Sequence, residues 1–258
     1  MTTTIPLADL QHAADLIRSA KHAIALTGAG ISTPSGIPDF RSPGSGLWER
    51  YDPMEVASIL TFRYDPERFY EWIRPMARLI LEAQPNPAHI ALAELEQAGY
   101  LHGLITQNID DLHRRAGTQQ LVEIHGHLRQ AICISCFRSY STDTFLVDFV
   151  KTGKIPRCDD CGGFLKPSAV LFGEQLPVDA VRQAQQWIKN CDLLLTAGSS
   201  LEVVPVAYFP VDALNAGAKL IIFNNTPTYV DQRAELVFRN DVAETLPQIV
   251  AEVLRGRE

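Results

Sequence analysis

The apolar run Ile24 to Leu26 breaks off at Gly28-Ala29-Gly30, and that junction restricts the fold more than any other stretch of the chain. A short continuous apolar run bounded by a turn signal marks a strand buried on both faces. A glycine turn directly after it lets backbone come close to a dinucleotide pyrophosphate and offers N–H groups to receive it. As a dinucleotide fingerprint it is incomplete. Thr33 stands where the third glycine belongs, and no helix pattern opens cleanly there. G-x-G by itself therefore leaves two readings open, an ordinary strand-to-helix turn and a phosphate loop. The continuation favours the second. Asp39, Phe40 and Arg41 set an acid, an aromatic plate and a fixed cation side by side, a combination that packing alone rarely asks of a loop.

Helical and strand patterns alternate around that junction. Leu7, Leu10, Ala14, Leu16 and Ile17 recur at helical spacing and predict a helix over 7–20. Residues 42–53, with Gly and Pro around Trp48, predict a loop that closes over a ligand. Helices are predicted across 53–98, with Asp65-Pro66 as one start and Pro85-Asn86-Pro87 interrupting before 88–98. Phe69, Tyr70, Trp72, Met76, Leu79 and Ile80 would form the core face of that module. Buried strands follow at 101–106 and 121–125, and a short extended segment at 168–173. Then come a helix over 178–190, a strand over 192–197, a helix over 205–216, strands over 219–223 and 235–238, and a terminal helix over 243–256. Such alternation implies a parallel sheet covered on both faces. No internal repeat interrupts it.

Between 127 and 166 the alternation stops, and two pairs, Cys133-x-x-Cys136 and Cys158-x-x-Cys161, take its place. Two thiolates at this spacing fill two corners of a tetrahedron, and a second pair completes a zinc site with Zn–S bonds of about 2.3 Å. The intervening stretch 137–157 is one residue longer than the usual about 15–20. Disulfides or a redox pair are the weaker alternatives. Four cysteine ligands close the coordination sphere, so one structural zinc is expected and a zinc-water hydrolase is disfavoured. Cys191 stands alone and reads as a small buried hydrophobe.

In a chain of 258 residues, cysteines of this kind point to a reducing compartment, and a cytoplasmic location is expected. MTTTIPLADLQHAADL lacks a basic segment followed by an apolar one, so no signal peptide is read there. No apolar run is long enough to span a membrane. A net charge of −7 without a basic run argues against nucleic acid as a direct partner.

Strand ends of a parallel sheet share one edge, where ligands bind. That geometry gathers Gly28 to Arg41, then Gln107, Asn108, Ile109 and Asp110, then His125 with Gly126, Gly198 with Ser199 and Ser200, and Asn224 with Asn225. Singly, each is a common turn former. Among seven histidines, His125 is the best placed general base, since it closes a strand and an unperturbed imidazole titrates near neutrality. His12 and His22 read as surface residues, His89 as a packing or capping residue, and His113 as a support behind the QNID turn.

GAGIST-x-SGIPDFR, TQNID-x-LH, a strand ending in His-Gly, two C-x-x-C pairs, KPSAVLFGE and GSSL occur here in that order over about residues 20–245. The set resembles the sirtuins, the NAD-dependent protein deacylases, and is most similar to bacterial and archaeal members. The resemblance implies an α/β fold with a Rossmann-like NAD-binding domain (1–44, 99–126 and 167–258), a helical module (45–98) and a zinc-ribbon module (127–166). It implies cofactor contacts from Gly28, Ala29, Gly30, Thr33, Asp39, Phe40 and Arg41, and from Gln107, Asn108, Ile109, Asp110 and His125. The adenosine half would lie against Gly198, Ser199, Ser200, Asn224, Asn225, Asp241 and Val242. Catalysis would fall to His125, Asn108 and Asp110. Val170, Phe172, Gly173 and Glu174, with Leu201, Glu202 and Val203, would take an acetyl-lysine peptide as an added strand.

The chemistry implied is attack of the acyl-lysine oxygen on the nicotinamide ribose through an oxocarbenium-like state. His125 then activates a ribose hydroxyl, giving nicotinamide, O-acetyl-ADP-ribose and free lysine. Removal of other acyl groups, or mono-ADP-ribosyl transfer by the same NAD cleavage, is the alternative. A hydride-transferring dehydrogenase fits less well without the third glycine. Two positions depart from the family. Asp111 replaces a frequent Gly. Members selective for acidic acyl groups carry a Tyr and an Arg three residues apart, whereas Tyr70 is followed at that offset by Ile73, with Arg74 one place later, which favours acetyl.

Overall fold

The computed structural model describes residues 5–42, 44 and 46–255. Residues 1–4 and 256–258, and Pro43 and Ser45 within the loop expected at 42–53, lie outside the described residues. In chain order the strands are β1 (Ala23–Thr27), β2 (Gly103–Thr106), β3 (Leu121–Glu123), β4 (Gly126–Cys133), β5 (Ser139–Ser141), β6 (Leu165–Ala169), β7 (Leu193–Ala197), β8 (Lys219–Phe223) and β9 (Leu236–Phe238).

Six of them form one parallel sheet in the order β3-β2-β1-β7-β8-β9. Counted within that sheet, this is the 3-2-1-4-5-6 order of a dinucleotide-binding fold, with the reversal between β1 and β7. Every residue of β1, β2 and β7 is buried, which is why those strands read as unbroken apolar runs and not as alternating ones. Alternate side chains still serve different cores. Ala23 and Ala25 pack with helices Leu7–Ser19, Pro87–Gln97 and Val242–Arg255, whereas Ile24 and Leu26 pack with Val178–Asn190 and Phe209–Asn215.

The helical module spans Pro53–Val56, Ile59–Tyr64 and Pro66–Glu82. Asp65 starts the longest helix as expected, its carboxylate accepting from the Arg68 N–H at 3.1 Å. Phe62, Phe69, Tyr70, Ile73 and Met76 share a core with Phe149 of the cysteine-bearing segment, Ile37 of the glycine loop and Leu112 behind the QNID turn. Leu79, expected in that core, is 38% exposed; helical phase turns it outward between buried Met76 and Ile80.

The cysteine-bearing segment folds as the antiparallel sheet β5-β4-β6. Here the sequence expectation needs adjustment. The extended segment expected at 168–173 overlaps a strand only at 168–169, the end of β6, which starts at Leu165 and pairs with β4 from Cys133 back to Gly126; beyond it Phe172 makes an isolated bridge to Ser58. β6 therefore straddles the expected boundary at 166, and the small sheet begins immediately after His125. The expected helix at 205–216 is a short 3-10 turn, Val206–Tyr208, followed by Phe209–Asn215, because Pro210 favours a new start.

Candidate functional site

All strands of the large sheet point one way, so the expected polar segments do meet at one edge. Backbone bonds lock the ends together: Gly28 N–H to Ala197 O (3.1 Å), Gln107 N–H to Thr27 O (3.0 Å), Ile124 N–H to Thr106 O (3.0 Å), and Gly198 N–H to Phe223 O (2.8 Å). Gly30 N–H donates to Gly198 O at 2.8 Å. The amides of Gly28 and Gly30 are therefore committed within the protein and are not open to a pyrophosphate. The glycines are required for a different reason. A Cβ on Gly28 would lie 2.8 Å from Gly198 O, and one on Gly198, held at φ +62, would lie 2.1 Å from Ile31 N. The two turns touch backbone to backbone, and only glycine permits it.

Beneath this edge lies a buried polar network. Asp110, 5% exposed, accepts from Ser32 Oγ at 2.6 Å and from Leu112 N–H at 3.0 Å. The Asn108 side-chain amide donates to Gly28 O and to Ser32 Oγ, both at 3.1 Å. His89 Nε2 stands 3.4 Å from Ser32 Oγ, and His113 Nε2 stands 2.9 Å from Thr27 Oγ1, itself bonded to Thr106 Oγ1 at 2.9 Å. The two imidazoles meet at a tilt of 58°, with 4.7 Å between centroids. Burial pulls the His89 pKa down to about 4; burial, then the neighbouring His89, hold His113 well below its ordinary value. Both rings are thus neutral at pH 7. Burial raises the Asp110 carboxyl against its two donors. His89 also caps its helix, its Nδ1 accepting from Asn86 N–H at 3.3 Å, as its position after Pro87 suggested.

His125 is half-buried and bonds through Nδ1 to Gln107 O at 3.0 Å. A carbonyl can only accept, so Nδ1 carries the proton and Nε2 keeps its lone pair. Burial lowers the His125 pKa, with the Gln107 carbonyl acting the other way, so the ring is an unprotonated base at neutral pH. Gln107 in turn donates from Nε2 to Ser199 Oγ at 3.0 Å, tying the QNID turn to the GSSL turn.

The loop after β1 is braced. Asp39 accepts from the N–H groups of Arg41 (3.0 Å) and Ser42 (2.7 Å) and from Ser42 Oγ, so this acid holds the loop's shape. Phe40 stacks on Trp48 at 5.0 Å, and Trp48 meets Phe172 edge-on at 5.9 Å. Arg41 Nε pairs with Glu202 at 3.1 Å. Trp48 and Arg41 therefore reach the two expected peptide segments, one each. Val170 N–H donates to His125 O (2.8 Å) and Phe172 pairs with 57–59. Glu174 accepts from Leu171 N–H (2.8 Å) and from Lys166 Nζ (3.0 Å). Leu201 is buried with φ +56, while Gly173 and Glu202 are exposed and Val203 half-buried.

Further along the edge, Asn224 turns its amide onto Thr226 O at 2.9 Å, Asn225 is exposed, and Asp241 caps the last helix by accepting from Ala243 N–H at 2.7 Å, with Val242 buried behind it. Thr33, exposed, donates to Gly30 O at 3.0 Å. Ala29, Ile109 and Ser200 lie half-buried at the same edge. Asp111 tolerates φ +66 where glycine is frequent, and Arg129 and Arg114 pair with its carboxylate. Neither Tyr70 nor Arg74 is free to clamp an acid: Tyr70 Oη donates to Leu165 O, and Arg74 to Val150 O (3.0 Å) and Lys151 O (2.9 Å).

In the small sheet the four cysteine Sγ atoms lie within 4.8 Å of one another, with Cys133 and Cys161 3.4 Å apart and Cys136 and Cys158 3.5 Å apart. A tetrahedral ion with about 2.3 Å bonds needs sulfur separations near about 3.8 Å. The donor set fits. Gly163 is obligatory, since a Cβ there would meet Cys133 Sγ at 2.9 Å, and Tyr140 Oη lies 3.0 Å from Cys158 Sγ.

Sequence reading singled out neither Thr27 nor Ser32, and it placed Trp48 in a ligand-closing loop without giving it a contact. Ser32 is one of three hydroxyl residues in the glycine loop, with Thr33 and Ser35, and nothing local sets it apart; like Thr27, it reveals its role only through packing.

A Sir2 family model matches residues 28–205. An NAD-dependent protein deacylase of Archaeoglobus fulgidus is 46% identical over 96% of this chain and 98% of its own. An NAD-dependent protein deacetylase of Sulfurisphaera tokodaii is 46% identical over 92% of each chain. Among solved structures, a Sir2 enzyme superposes at TM-score 0.91 with 45% identity, covering 97% of this chain and 99% of that one. A Sir2 complex with a p53 peptide and NAD+ superposes at TM-score 0.84 with 38% identity over 95% of this chain and 97% of that one.

Proposed function

The chain belongs to the Sir2 family and is an NAD-dependent protein deacylase, and we propose that it removes acetyl groups from lysine with His125 as its base. One observation carries the assignment of the base. Nδ1 of His125 is fixed on Gln107 O at 3.0 Å, which leaves Nε2 aimed as the sole acceptor of the ring. Bound NAD supplies an electrophilic ribose carbon with nicotinamide as leaving group. The protein's own parts then divide the work. Asn108 and Asp110, immobilised by Ser32, hold the ribose side of the cleft. Burial of that network excludes water, which protects the electrophile from hydrolysis. His125 Nε2 takes a proton from a ribose hydroxyl, and Gln107 O steadies the imidazolium that results.

Arg41 would hold the diphosphate, with Ala29, Thr33, Phe40 and Ile109 around the ribose, and Ser199, Ser200, Asn224, Asn225, Asp241 and Val242 beside the adenosine. The peptide would lie between Val170–Glu174 and Leu201–Val203. An acetyl preference is supported by the engagement of Tyr70 and Arg74 elsewhere. The four cysteines we assign to one structural Zn2+, and the free thiols to a cytoplasmic setting. Among the described residues no helix is long and apolar enough to cross a membrane, and the acidic surface supports the absence of nucleic acid among the partners. The test is incubation with an acetyl-lysine peptide with and without NAD. O-acetyl-ADP-ribose should form only with both; deacetylation without NAD would overturn the reading, and ADP-ribosylated peptide as the main product would favour mono-ADP-ribosyl transfer.

A further inference from the structure

Two acids lie on the proposed peptide edges, and their situations differ. Glu174 is spent: Lys166 Nζ and Leu171 N–H both donate to it. Glu202 is exposed, and its ion pair is to Arg41, 3.1 Å away on the loop that follows β1. That pair joins the cofactor side of the cleft to the peptide side. Arg41 is one cation with two claimants, since the proposed function gives it the diphosphate of NAD and Glu202 holds it. An exposed pair of this kind is worth little, so the diphosphate, with its greater charge, takes Arg41. Glu202 is then an unpaired carboxylate facing a new anion nearby, and a cation supplied from outside restores neutrality.

We propose that Glu202 is a specificity-determining residue that selects acyl-lysine peptides carrying a Lys or Arg next to the modified lysine. This deepens the deacylase reading and rests on it. A basic side chain replaces Arg41 on Glu202 as Arg41 turns to the diphosphate, so peptide charge and NAD binding are coupled. Thermodynamic linkage makes the coupling reciprocal: a basic-flanked peptide tightens NAD, and NAD tightens that peptide.

The experiment uses three acetyl-lysine peptides alike except for Lys, Gln or Glu beside the acetyl-lysine, with the full chain and NAD. In the wild type, KM should rise about fivefold from the Lys to the Glu peptide, and KM for NAD should be lower with the Lys peptide. In Glu202→Gln both ratios should fall to near one; in Glu202→Lys the order should invert, with the Glu peptide preferred. Equal KM values across the three peptides in the wild type, or undiminished discrimination in Glu202→Gln, would overturn the assignment. Absence of NAD-dependent turnover of the Gln peptide by the wild type would instead sink the deacylase reading beneath it, and this one with it.

Discussion

The polar edge of the large sheet and the cysteine sheet both hold charged or polar groups in fixed geometry, by opposite means. At the edge, Ser32, Asn108, Asp110, His89 and His113 come from widely separated segments and are held by a buried network over two large apolar cores. Among the described residues, the cysteine sheet's own core is Ala131, Cys133, Cys158 and Leu165, while Phe149 of the same segment packs on the helical module. So small a cluster cannot offset the entropy of ordering its strands, and the ligands must do so. One region positions chemistry by packing; the other packs because of chemistry.

Metal removal should break this contrast most visibly. Stripping the ion from the four cysteines should cost the small sheet on the order of 10 kcal/mol, read as lost hydrogen-exchange protection over 126–169 while β1, β2 and β7 stay protected. Uniform loss across both sheets, or none, would show that the two regions do not differ in this way. Next comes His125→Ala, expected to lower turnover by about 10²- to 10⁴-fold with an unchanged melting temperature; a near-normal rate would move the base elsewhere. A third test titrates the edge. In the unfolded chain His89 and His113 bind protons near pH 6.5, but the fold holds His89 at about 4. The unfolded state thus gains protons first, and stability should fall between pH 6.5 and 4 by on the order of 3 kcal/mol for His89 alone. Asp110, raised by burial, works in the opposite sense at the acid end of that window. Urea unfolding at pH 7 and pH 5 measures the net effect, and identical midpoints would mean that the pair is not neutral. The smallest effect is expected at Tyr140→Phe, which removes the phenol oxygen's contacts with Cys158 Sγ at 3.0 Å and Asp160 at 3.2 Å and should be read as modestly faster metal release to a chromogenic chelator.

The same contrast explains what could be read in advance. β1, β7 and all of β8 after Lys219 are buried, so their sequences are near-continuous apolar runs and their limits stand out. The cysteine knuckles are local, two ligands within four residues, and a local spacing suffices to find them. The Rossmann-like sheet with its four-cysteine insertion follows from those two signals. What the sequence did not disclose is non-local. Nothing near His113 signals that it meets Thr27 and His89, and no spacing ties Arg41 to Glu202. Nor does glycine at 28 and 30 say that its requirement comes from Gly198 and not from a ligand. Lys166 and Pro167 interrupt the apolar pattern of β6 and hide its start at Leu165, although Lys166 is drawn in by Glu174 and by the carbonyls of Pro167 and Ala169.

The chain leaves for the small sheet at Gly126 and returns at Ala169, which pair with each other, while Val170 N–H closes on His125 O at 2.8 Å. Entry and exit thus share one doorway, sealed by main-chain bonds. For a loop whose ends are already fastened, each doubling of length costs only about 0.6 kcal/mol. The stretch between the cysteine pairs can therefore change length at little cost without disturbing His125 at the threshold, as long as it keeps Phe149 packed on the helical module.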